Sequence, residues 1–130
     1  LELSELTAVS PLDGRYGRLS APLRNIFSEY GLIRFRILVE CRWLQQLSRI
    51  PAVTEVPPFS AAANAVLDKG LKGSGQIAEG NEGKRRRRYK EADVYAQEQF
   101  RAHPELAAVL EFTHFACTSE DINNLSHALM

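Results

Sequence analysis

Between Leu32 and Arg49 the apolar residues Phe35, Val39, Trp43 and Leu47 recur every four positions, and Ile33, Ile37, Cys41 and Leu44 line an adjacent face. On a helix the two sets cover adjacent faces. The spacing predicts a mostly buried helix. No segment shows the apolar-polar alternation of a half-buried strand, so the fold class read from the sequence is all-α.

The remaining elements are marked by their punctuation. Pro11, Asp13 and Gly14 make Ser10 to Tyr16 a turn-rich loop, Pro restricting φ and Gly permitting positive φ. A helix is expected from about Ala21 to Tyr30, with Gly31 as its break. Pro51, Pro57 and Pro58 bracket a loop or short extended segment, after which Ser60 caps a helix running to about Leu71. From about 69 to 88, Gly70, Gly73, Gly75, Gly80 and Gly83 raise the entropy cost of regular structure, and Lys84 to Arg88 closes the stretch, which reads as a mobile loop. Tyr89 to Arg101 is polar and helix-compatible. Pro104 starts a short helix with Leu106, Val109, Leu110 and Phe112 as its apolar positions. Thr118-x-x-Asp121 has the spacing of a capping box, and Ile122, Leu125 and Leu129 give the helix after it one apolar face.

At 130 residues and 45% apolar content the chain is sized for one domain or for one piece of a larger subunit. Lys plus Arg and Asp plus Glu are equal at 16 each, so no overall field favours nucleic acid or an anionic membrane, and any electrostatic function is local. Cys41 and Cys117 fit no metal-ligand or redox spacing and read as buried thiols of a reducing compartment. No apolar run is long enough to span a bilayer, and the opening residues lack the order of a signal peptide, which makes a cytoplasmic location the default. The sequence begins with Leu1 and ends at Met130 inside a helical pattern, which reads as a truncated product.

Two stretches are dense in hydroxyls and fixed charge where a core would be apolar: Ser10 to Tyr16, and His114 to Asn124. In the first, Arg15 offers a planar fork suited to phosphate or carboxylate and Tyr16 adds a hydroxyl donor; a surface turn with a solvated Arg is the plainer reading. In the second, Thr118 and Ser119 sit where a helix begins and backbone N–H groups favour an anionic oxygen; helix capping is the plainer reading, and Glu120 and Asp121 oppose an anion. His103, His114 and His127 show no ligand pairing and read as structural. Lys84 to Arg88 reads as a solvated run rather than an RNA contact.

Together these stretches resemble the adenylosuccinate lyase family, in its bacterial form, of the fumarase/aspartase superfamily. The resemblance rests on Leu6 to Tyr16, Ile26 to Leu32 and, above all, the long motif Glu111 to Leu129, and marks the chain as similar to the N-terminal region of such a subunit. It implies a β-elimination in which fumarate leaves adenylosuccinate to give AMP, and likewise leaves succinyl-aminoimidazole-carboxamide ribotide, with no cofactor and no metal. It implies that Arg15 and Tyr16 hold the substrate phosphate and that Thr118 and Ser119 form a substrate-binding pair. It implies a general acid His and a general base Ser from later parts of the subunit, so that no catalytic residue is assigned within the 130 residues. It also implies a homotetramer with a long helical bundle as its core. Residues 1–117 would then be the helical domain and 118–130 the start of the bundle helix, its apolar face partly uncovered.

The middle of the chain departs from the family. The family's Thr-Thr-Asn-His-Asp motif falls over Tyr89 to Asp93, where only Asp93 agrees and Ala92 replaces the substrate-contacting histidine; the stretch up to Pro104 is about five residues short of the pattern. Asp93 is retained as a further substrate-binding candidate. Two rival readings stand beside the enzyme: a non-catalytic helical interaction remnant, and an Arg-rich RNA-binding module using Lys84 to Arg88.

Overall fold

The structure, a computed structural model, describes residues 2–4, 7–69, 98 and 100–130. Among them every regular element is helical, as the periodicity requires. A 3-10 turn at Pro11–Asp13 leads into α1 (Gly17–Ser20) and a second 3-10 turn at Ala21–Leu23. The long helix α2 is Glu29–Leu47, α3 covers 61–69, α4 is Pro104–Ala107, a 3-10 segment lies at Leu110–His114, and α5 is Ser119–Leu129.

The start of α2 differs from the sequence expectation. Instead of a helix over Ala21 to Tyr30 broken at Gly31, the chain turns at 24–28 and α2 begins at Glu29, with Gly31 inside its first turn. Ser28 is the reason: its backbone is extended, and its hydroxyl accepts the Gly31 N–H at 3.1 Å while donating to the Arg24 carbonyl. Gly31 is needed for space rather than as a breaker, because a Cβ there would lie 2.1 Å from the Ile26 carbonyl oxygen. Gly14 also departs from expectation: its φ is −68°, so the first loop uses no left-handed glycine there.

From that start α2 runs through the centre of the molecule. Ile33, Ile37, Cys41, Leu44 and Leu47 are buried in one cluster with Val56, Ala63, Leu67, Phe100, Leu106 and Val109. Each fully buried side chain of this size stabilises by roughly 1.5–3 kcal/mol, which makes the cluster the main source of cohesion. Of the second stripe Val39 and Leu47 are buried, while Phe35 and Trp43 are half-buried. Burial, with Glu40 and Asp68 adding to it, pushes the Cys41 thiol up to about 12, so it is a neutral core group; Cys117 is only half-buried, short of the burial expected for it.

The other elements attach to this helix. Ser60 caps α3 as expected, accepting the Ala63 N–H at 3.2 Å, and both its hydroxyl and its own N–H donate to the Glu105 carboxylate at 2.7 and 2.9 Å, tying α3 to α4. Arg42 reaches Asp68 at 2.8 Å from α2 to α3. The 3-10 segment and α5 both pack on α2. Within α5, Ile122 and Ser126 are buried, whereas Leu125 and Leu129 remain 55% and 51% exposed, so the expected single apolar face is covered only in part. Among the described residues no helix is long and apolar enough to cross a membrane. The expected Gly/Arg loop, apart from Lys69 in α3, lies outside the described residues, as do Ala92 and Asp93.

Replacing a helical Gly by Ala ordinarily gains about 1 kcal/mol, whereas overpacking costs about 1–3 kcal/mol. With a backbone oxygen 2.1 Å from the new methyl, the second effect wins, and Gly31→Ala is expected to lower the urea midpoint of unfolding. A midpoint at or above the parent's would contradict the close approach of Ile26.

Candidate functional site

The loop Ser10 to Tyr16 is built around one buried carboxylate. Asp13 Oδ2 accepts the backbone N–H groups of Val9 and Ser10 at 2.6 and 2.7 Å, and its Oδ1 accepts the Ser20 hydroxyl at 2.9 Å. Arg24, also buried, places Nε 3.7 Å from the same Oδ1 and donates through Nη2 to the Gly17 carbonyl at 2.8 Å. Ser10 and Asp13 thereby form a capping box on the 3-10 turn. The Ser10 N–H foremost, helped by Val9, Ser20 and Arg24 against the opposing effect of burial, holds the Asp13 carboxyl below its ordinary value.

Fixed from beneath in this way, the turn directs Arg15 and Tyr16 outward. Both are exposed, with the Arg15 guanidinium carbon 5.5 Å from the Tyr16 ring centroid, a cation–π contact that keeps the two donors side by side. A phosphate approaching this edge would meet a guanidinium and a phenol without displacing any other bond of the fold.

The second stretch is anchored from the flank of α2. His114 Nε2 lies 3.5 Å from Glu40 Oε1, and the Trp43 indole N–H donates to the Phe115 carbonyl at 2.9 Å. Ala116 then takes φ 58°, the left-handed region, and the Cys117 N–H returns to the His114 carbonyl at 3.0 Å. The chain emerges at Thr118, whose N–H donates to Asp121 Oδ2 at 2.8 Å and whose hydroxyl accepts the Asp121 N–H at 3.4 Å. The capping box is therefore formed, and it divides the labour of the two hydroxyls: Thr118 is engaged by the cap, while Ser119 is exposed with no hydrogen-bond partner for its hydroxyl among the described residues.

None of the bonds described above joins Arg15 or Tyr16 to Thr118 or Ser119. Asp13, which the sequence marked only as a turn former, and Trp43, marked only as part of the apolar stripe, hold the two patches together with Ser20, Arg24 and Glu40, for which sequence reasoning gave no role. One signal was available: Ser10-x-x-Asp13 has the same spacing as Thr118-x-x-Asp121. Among the described residues no group of three or more His, Cys, Asp or Glu is arranged to hold a metal.

No family model matches the chain. Comparison with individual proteins places its sequence among lyases. The adenylosuccinate lyase of Haemophilus influenzae is 54% identical to it over 135 residues, that of Escherichia coli (strain K12) 54% over 135, and that of Buchnera aphidicola subsp. Schizaphis graminum 37% over 134. Each match takes in 100% of this chain and 29% of the relative, so the chain is similar to adenylosuccinate lyases along its whole length while spanning less than a third of theirs.

The anchoring has two measurable outcomes. Thr118→Ala removes the cap and should cost about 1 kcal/mol, with Thr118→Ser retaining most of it, as measured by chemical denaturation; equal stability of all three would contradict the capping box. Because the folded Asp13 carboxyl titrates below its ordinary 3.8, its contribution to stability is present above that pH and is lost as pH falls through the lower folded value. Following the Asp13 carboxyl carbon by NMR should give a midpoint below 3.8; a midpoint at or above it would contradict the hydrogen-bonded cradle.

Proposed function

We propose that this chain supplies the phosphate- and carboxylate-binding part of an adenylosuccinate lyase, acting on adenylosuccinate and on succinyl-aminoimidazole-carboxamide ribotide. The observation that carries this reading is the 54% identity along the whole chain, which takes in both donor-bearing patches. Arg15 and Tyr16 hold the phosphate of the nucleotide. Ser119, with Thr118 holding the helix start behind it, donates to a substrate carboxylate.

The chemistry explains why such fixed donors are useful. Elimination removes a proton from the carbon beside a carboxylate and breaks the C–N bond, so negative charge grows on that carboxylate as the reaction proceeds. Donors already held in place stabilise the growing charge without reorganising, and grip on the distant phosphate brings the reacting carbon into register. Proton transfer itself falls to the acid His and base Ser of later parts of such a subunit, by the family resemblance. The same resemblance supports a homotetramer, a cytoplasmic location and a chemistry without cofactor. Asp93 is kept as a substrate contact on the same ground. It also supports reading 118–130 as the opening of the bundle helix, and the half-exposed Leu125 and Leu129 suit a helix awaiting further neighbours.

The test is a titration of the 130-residue chain with adenylosuccinate, which carries both the phosphate and the carboxylates, followed by NMR at the backbone amides of Arg15, Tyr16, Thr118 and Ser119. Both patches should shift with one common Kd, and Arg15→Ala should weaken binding by roughly tenfold or more, the loss of a charged hydrogen bond. The same material should release no fumarate from adenylosuccinate in an absorbance assay. Absence of saturable shifts, or a response confined to residues outside both patches, would overturn the reading.

A further inference from the structure

We propose that Trp43 and Glu40 of α2 are positioning residues for the Thr118–Ser119 hydroxyl pair, acting through the backbone of residues 114–117. This inference rests on the substrate-binding reading of that pair and adds to it the part of the molecule that sets its geometry.

Glu40 and Trp43 are three residues apart on one helix, so both side chains leave the same face of α2. They meet two consecutive residues of the facing stretch of chain: Glu40 Oε1 lies 3.5 Å from His114 Nε2, and Trp43 Nε1 donates to the Phe115 carbonyl at 2.9 Å. Glu40 is buried, its side chain 6% exposed, and it leaves a helix whose neighbouring residues Cys41 and Leu44 are core, so this end of the contact moves little. Phe115 also stacks on Phe112 with ring centroids 5.4 Å apart, which steadies the same residue from its side-chain end.

These contacts make a lever only three residues long. Ala116 sits at φ 58°, the left-handed region that is strained for a residue other than Gly, so the surroundings must enforce it. The enforcing bonds are those on either side: Trp43 to the Phe115 carbonyl, and the Cys117 N–H back to the His114 carbonyl. Beyond the turn, α5 is seated on α2 through its buried Ile122 and Ser126. Thr118 and Ser119 therefore lie between two attachments to the same helix. The later one, of apolar contact and a hydroxyl bonded within α5, fixes where the helix lies; the earlier, polar one fixes the direction from which the chain enters it. Ser119, whose hydroxyl has no partner among the described residues, depends on both for the direction of its hydroxyl.

Trp43 also makes the proposal measurable, since it is the only tryptophan in the chain and its indole N–H gives one resolved NMR signal. The Trp43 to Phe115 bond is exposed to solvent, so water can replace the lost donor in Trp43→Phe with little cost in stability. In the parent chain titrated with adenylosuccinate, the indole signal should shift with the same Kd as the Thr118 and Ser119 amides. In Trp43→Phe, and separately in Glu40→Gln, these two amides should already be displaced before the ligand is added. Affinity for adenylosuccinate should fall roughly tenfold, a fraction of the hundredfold that a full 1 Å misplacement can cost, while the thermal midpoint stays near the parent's. Arg15→Ala serves as the control for the underlying reading. If Arg15→Ala weakens adenylosuccinate binding while both α2 variants keep parental affinity and parental Thr118 and Ser119 shifts, the positioning role is wrong and the binding site stands. If adenylosuccinate produces no saturable shift in the parent, the binding reading itself has failed. Should one α2 variant not fold, the other decides.

Discussion

The seating of residues 110–129 on the flank of α2 is the constraint on which the rest depends. One face of that helix is committed to the apolar cluster shared with Val56, Ala63, Leu67, Phe100, Leu106 and Val109. The 3-10 segment, whose Leu110 and Phe112 pack against that same cluster, and α5 also pack on the helix. A helix held by all of these elements has little freedom to roll, so the side chains it projects toward them, including Glu40 and Trp43, become fixed points for what lies against them. Its own start is fixed as well, by the Ser28 cap and by the approach of the Ile26 carbonyl to Gly31.

The two donor patches use the same design with different materials. In each, a carboxylate three residues after a hydroxyl closes a capping box: Asp13 with Ser10, Asp121 with Thr118. In the first patch the carboxylate is buried and answered by Arg24, so its charge is spent inward and the outward field at the rim is set by Arg15. In the second, Glu120 and Asp121 remain exposed at the helix start. Their charge tempers the pull of the N-terminal N–H groups on an anion, which makes a hydroxyl such as that of Ser119 a better suited donor there than the helix end alone.

Much of this was legible in the residues. The period of Ile33, Ile37, Cys41 and Leu44 predicts a buried helix because burial and helical geometry act on the same stripe, and no competing pattern exists at those positions. Ser60 and Thr118 announce helix starts because a hydroxyl cap is a local interaction, decided within three residues. The start of α2 was misjudged because the decisive contact, Ile26 carbonyl against Gly31, comes from tertiary folding of a turn, and Gly in isolation signals a break. Phe100 was missed as core because its sequence neighbours are polar, so no periodic stripe marks it. The roles of Glu40 and Trp43 were hidden for the same reason that they matter: their partners are more than 70 residues away along the chain, a separation no local pattern reports.

Amide hydrogen exchange tests the seating of α5 on α2 most directly. If the two helices form one cooperative unit, the amides of Ile122 and Ser126 should be protected to nearly the same degree as those of Cys41 and Leu44, and all four should lose protection together as urea is raised. Exchange of Ile122 and Ser126 at rates close to those of an unstructured peptide, while Cys41 and Leu44 stay protected, would show that α5 is not held, and the fixed geometry ascribed to Thr118 and Ser119 would go with it.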